Sequence, residues 1–218
     1  MNESRASGQV KAIGQSAEAM AAYRVLAGRV AIFSGVLAVA TGIYQAWRGQ
    51  HGGTLQGDTF YWDWVKVLIA VAAFGAVLLW RNAKGTGKPF WSTGMRRVVL
   101  AFLPAMLAGA VVSYAMVSIY DYELCALCWI LFYAVALLAV RQVVPRSLRG
   151  PGWLFLISGL VITLAWRRYG PALAPQLGVD EVQAAAVIMV VTFGLLHLIY
   201  GAVVLLGKDS DGKVDSGQ

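Results

Sequence analysis

The apolar residues of this chain fall in six long blocks, at about 25–47, 61–80, 98–120, 124–140, 153–166 and 182–206. Crossing a bilayer takes roughly 20 helical residues, and most of these blocks approach that length. In lipid every backbone polar group must be satisfied within its own segment, so an open-ended span has to be helical. Strict apolar–polar alternation is absent, which argues against barrel strands. Composition agrees, at 59% hydrophobic and 13% charged, against about 25% charged for a soluble domain. The expected fold is all-α: a polytopic membrane helix bundle of six transmembrane helices, with both termini cytoplasmic.

The fifth block is the shortest. Its 14 residues rise only about 21 Å as a helix. It spans if Arg149 and the Arg167-Arg168 pair reach the two interfaces. A re-entrant segment is the alternative, and the charge pattern favours a span. Residues 21–207 are expected to form the transmembrane domain. Residues 1–20 read as a polar arm without the apolar core or cleavage site of a secretory signal. Residues 208–218 read as a disordered tail.

Charge sets the orientation. With a cytoplasmic N-terminus, fourteen of the 18 Lys and Arg residues lie inside, and Arg48, Arg167 and Arg168 lie outside. Lys66 then falls within the second span. The positive-inside rule selects this arrangement. The expected location is a bacterial inner membrane, and this orientation gives a mildly acidic outer face carrying Asp58, Asp63, Asp121, Glu123, Asp180 and Glu181. Trp47, Tyr61, Trp62, Trp64, Tyr120, Tyr122, Trp166 and Tyr169 gather near one interface, and Trp80, Phe90, Trp91 and Trp153 near the other, as aromatic belts. The net charge of +7 is dispersed at block ends. It therefore points to lipid headgroups as partner, and not to nucleic acid.

Small residues mark expected helix contacts. Gly28, Gly35 and Gly42 recur every seven residues, as do Gly194 and Gly201, and Ala105, Ala108, Gly109 and Ser113 form a further stripe. Pro104 is expected to kink the third helix or to cap its first turns.

The only two cysteines, Cys125 and Cys128, enter the fourth block. The connection 121–123 before them predicts a tight hairpin at the outer face. At three residues' spacing the two side chains share a helix face, and a disulfide between them is geometrically possible. Free amides of a helix start face Cys125, while Asp121 and Glu123 bring negative charge beside it. Two readings stand. One is a redox couple, with Cys125 the exposed nucleophile and Cys128 the resolving thiol. The other is an inert or structural pair. Metal binding is disfavoured, since two thiolates make half of a tetrahedral site and neither His51 nor His197 is placed to complete it.

Cys125-Ala-Leu-Cys128-Trp129 opening a membrane helix resembles the DsbB/VKOR type of membrane thiol oxidoreductase over about ten residues. That resemblance implies electron transfer from a periplasmic thiol protein to a membrane quinone. Trp129 would then form part of a quinone-facing wall, with Arg167 and Arg168 as quinone or headgroup contacts. The chain lacks the second cysteine pair of that type and an Arg soon after the motif. A broader resemblance covers about residues 96–206. It is carried by Leu103-Pro104-Ala105, Trp129-Ile-Leu-Phe-Tyr133, Val144-Pro145, Gly152-Trp153-Leu-Phe and Phe193-Gly194-Leu-Leu-His197-Leu-Ile-Tyr200-Gly201. These resemble a group of uncharacterised bacterial multi-pass inner-membrane proteins that lacks cysteine at the two positions. No biochemical function carries over from that group, and the expected role is a non-enzymatic scaffold, sensor or accessory subunit with a membrane partner.

Three polar features remain. His197 is an intramembrane ionisable residue, hence a candidate functional site. Its alternative is a hydrogen bond across helices, to Ser113, Thr41 or a Tyr. Asp63 and Lys66 can pair at i,i+3. Arg167 and Arg168 can pair with Asp180 and Glu181 or contact headgroups. No nucleotide-binding, zinc-protease or hydrolase motif is present.

Overall fold

The computed structural model describes residues 2–50, 57–87, 89–141 and 150–211. Side chains are described for 22–49, 59–87, 89–141 and 150–207. The described helices are α1 (Asn2–Gln50), α2 (Gly57–Gly85), α3 (Thr93–Ser118), α4 (Tyr122–Val140), α5 (Gly150–Gln176), α6 (Glu181–Met189) and α7 (Leu196–Asp211). A π-helical turn, Val190–Leu195, joins α6 to α7, so the last three make one rod. Among the described residues, six helical segments are long and apolar enough to cross a membrane. The protein is thus a polytopic helical membrane bundle. An even number of spans returns both chain ends to one face, called here the termini face. The opposite one is the hairpin face.

Residues 2–20 are helical and continuous with the first span. Residues 212–218, His51, and the side chains of Arg5, Lys11, Asp58, Lys88, Arg146, Arg149, Lys208 and Lys213 lie outside the described residues. The fifth span is longer than its apolar block. α5 runs 27 residues, about 40 Å, and settles the fifth segment as long enough to span. It continues through Pro171 and Pro175. Each proline withholds one amide from the carbonyl four residues back, at an end of the helix where other partners can satisfy that oxygen.

Two helix hairpins close at the same face by the same chemistry. α3 ends with Tyr120 in the left-handed region (φ 63). The Tyr120 and Asp121 amides bond back to the Val117 and Met116 carbonyls at 3.0 Å each, the double-bonded helix stop of a Schellman motif. Asp121 then caps α4, accepting from the Leu124 amide at 2.9 Å. The connection is therefore 119–121, two residues earlier than the sequence suggests. α5 ends likewise on Gly178 (φ 63), and Asp180 starts α6 with a capping box to Gln183.

α4 is the spine. It packs between α3, α5 and α6, and Cys125, Ala126, Leu127, Ile130, Ala134 and Ala136 are buried along it. α1 packs on the α6–α7 rod through the expected glycines. A Cβ at Gly35 would meet the Gly194 carbonyl at 2.8 Å, and one at Gly201 the Gly28 carbonyl at 3.0 Å. Gly49 extends the repeat, against Gln183. On α3 the buried face is Met106, Gly109, Ser113 and Val117. Ala108 is exposed, because it lies about 100° around the helix from Gly109. α3 runs on through Pro104 as one helix.

Trp47, Trp62, Tyr120, Tyr169, Trp80, Trp91 and Trp153 are exposed, as belt residues should be. Tyr61, Trp64 and Tyr122 are instead buried. Their rings pack inward, where Trp64 Nε1 donates to Gln45 Oε1 at 3.2 Å and the Tyr61 hydroxyl to the Ala110 carbonyl at 3.2 Å.

Candidate functional site: the buried face of helix α4

Cys125 and Cys128 stand one turn apart near the hairpin end of α4, both as free thiols. Cys125 is 0% exposed, which corrects its expected role as the exposed nucleophile. The hairpin folds α4 tightly onto α3, and Cys125 falls on the side that α3 covers. The partly exposed thiol is Cys128. The Cys125 amide is also not free, since it donates to the Asp121 carbonyl at 3.0 Å. Ser113 of α3 and Trp129 stand beside the Cys125 sulfur. The Ser113 Oγ and Trp129 Nε1 atoms are both buried, and among the described residues neither forms a hydrogen bond of ordinary geometry.

Two turns deeper, Tyr133 meets His197 of α7. Tyr133 Oη and His197 Nε2 are 2.9 Å apart, and His197 Nδ1 is 2.7 Å from the Phe193 carbonyl. A carbonyl can only accept, so Nδ1 carries a proton. In the neutral ring Nε2 is then the acceptor, and the Tyr133 hydroxyl donates to it. Of the partners expected for His197, the tyrosine is the one found. The π turn supports the arrangement, because Phe193 and Gly194 lie within it and His197 just after it. Thr192 ties the turn to α6 by donating to the Ile188 carbonyl at 2.7 Å. Phe155 and Phe193 close around the imidazole, with ring centroids 4.8 and 5.8 Å away.

At the hairpin face a cavity of about 1050 Å³ opens between the two hairpins. Asp121, Glu123, Trp166, Arg167, Asp180 and Glu181 line it. Among the described residues no ion pair joins Arg167 or Arg168 to Asp180 or Glu181. α5 stays helical for eight residues beyond Arg168, so both arginines stand on a helix flank instead of in the turn. Arg168 lies over the Tyr169 ring at 5.3 Å. Trp129 is in the interior and the two arginines are exposed at the hairpin end, so the three expected quinone contacts do not come together. Asp63 and Lys66 do pair, at 3.0 Å.

Sequence named Tyr133 only within a resemblance motif and Trp64 only as a belt residue, and it did not single out Gln45 or Ser34. Tyr133, Gln45 and Trp64 each have their partner on another helix, and no local spacing announces that. Among the described residues no group of three His, Cys, Asp or Glu side chains gathers to hold a metal ion. Comparison with protein-family models, curated proteins and solved structures gives no match.

Proposed function

We propose that the chain is a multi-pass protein of the bacterial inner membrane, with its termini face cytoplasmic. We further propose that it works by non-covalent recognition, as a scaffold, sensor or accessory subunit with a membrane partner. The observation that carries this reading is the enclosure of Cys125. A thiol–disulfide exchanger must bring an attacking sulfur in line with a partner's disulfide, and exchange depends on that access. The cavity between the hairpins supports the same reading, since its size suits recognition of a ligand or a partner loop.

A second reading is favoured by the partly exposed Cys128. In it the pair is a DsbB-like oxidoreductase in which Cys128 meets a periplasmic thiol protein and Cys125 resolves. The partner's dithiol is oxidised as the Cys125–Cys128 disulfide is reduced, and a quinone reoxidises the pair. Trapping separates the two. In cells carrying Cys125→Ala or Cys128→Ala, non-reducing gels should show no mixed disulfide through the remaining thiol. A reducible adduct in either variant would overturn the recognition reading in favour of exchange.

A further inference from the structure

A second, smaller cavity of about 60 Å³, partly open at the bundle surface, lies beside the His197–Tyr133 pair. Most of its wall is apolar, including Ala38, Val67, Met106 and Met189. Its polar lining residues are Ser34, Tyr133 and His197, together with the indoles of Trp64 and Trp129. Ser34 is buried. Thr163 and Thr192 each satisfy their hydroxyl on a carbonyl one turn back, at 2.7 Å. Ser34 makes no such bond among the described residues, although its place in α1 would allow one. The Tyr133 oxygen gives its proton to His197 and keeps an acceptor site free.

We propose that this cavity is a water site within the membrane-spanning bundle. Its volume suits on the order of two waters, each occupying about 30 Å³ in the liquid. A water here accepts from the Ser34 hydroxyl and donates to the Tyr133 oxygen, so both unused positions are filled by one small neutral molecule. An acyl chain would fill the space and leave both positions unmet. The inference is independent of what the protein recognises.

Hydroxyl-radical labelling by X-ray radiolysis of the full chain in lipid nanodiscs tests this. Radicals form where water sits, and Met106 and Met189 are sensitive reporters in the cavity wall. Normalised for intrinsic reactivity, Met189 (1% exposed) should oxidise at least fivefold faster than Phe60 (0% exposed), which borders no part of this cavity. Ser34→Val removes the polar rim, and Ala38→Leu fills the space from an apolar wall. A folded sample of either should lose at least threefold of the methionine labelling. Rates in the wild type no faster than Phe60, or labelling unchanged in the folded variants, would show a dry cavity and overturn the proposal.

Discussion

His197 is a costly residue to place inside a membrane, and its surroundings account for it fully. Both ring nitrogens are used, one on the Phe193 carbonyl and one by the Tyr133 hydroxyl. Hydrogen bonds between membrane helices are worth about 0.6 kcal/mol on average and about 1.7 at most. Tyr133→Phe should therefore lower unfolding stability in detergent by about 1 kcal/mol. A double-mutant cycle with His197→Phe should show that the two residues couple by a similar amount; additive losses would mean that the pair contributes nothing. Tyr120 presents the opposite case. An L-residue at φ 63 carries a left-handed penalty of about 1–2 kcal/mol that glycine escapes. Tyr120→Gly should raise stability by up to about 1 kcal/mol, read as a higher melting temperature of the purified protein. The histidine was legible in the sequence as a site. A tyrosine was among its expected partners, but which one was not legible, because Tyr133 is 64 residues away and sits in an unbroken apolar run.

The seam between α1 and the α6–α7 rod is built on glycines seven residues apart, and this element-scale feature could be read from sequence. Seven residues are close to two helical turns, so the repeat holds one face toward one partner. Its energetic consequence is specific. Gly35→Ala puts a methyl 2.8 Å from the Gly194 carbonyl and 2.6 Å from Leu198, and overpacking of this kind typically costs about 1–3 kcal/mol. Gly75→Ala on α2, where the nearest atom is 3.7 Å away, should change stability by less than about 0.5 kcal/mol. Paired unfolding curves for the two variants check this, and equal losses would contradict the seam. Other elements hid their form. The π turn at Val190–Leu195 leaves no trace in composition, because the same apolar residues suit an α-helix equally. α5 was underestimated because the Arg167-Arg168 pair closes its apolar block, whereas the helix carries on to Gln176.

At the scale of the whole molecule, six spans and a single core followed from block length and the rules of a solvent without hydrogen-bond partners. What length could not say is which helix is innermost. α4 is apolar all round, which permits either a lipid-facing or a central position. The two short hairpins and the glycine seams decide for the centre. The proposed orientation predicts that a cysteine placed at Gln176, in the chain carrying Cys125→Ala and Cys128→Ala, reacts in intact cells with a membrane-impermeant maleimide. One placed at Lys84 should react only after lysis; the reverse pattern would invert the topology. The central claim is that burial of α4 seals Cys125 and leaves Cys128 as the reachable thiol. The most direct measurement is the alkylation rate of each sulfur, resolved by peptide mass spectrometry, on the folded wild type in native membranes. The account predicts that Cys128 reacts at least tenfold faster and that Cys125 gains comparable reactivity only on denaturation. Equal rates in the folded protein, or a faster Cys125, would contradict it.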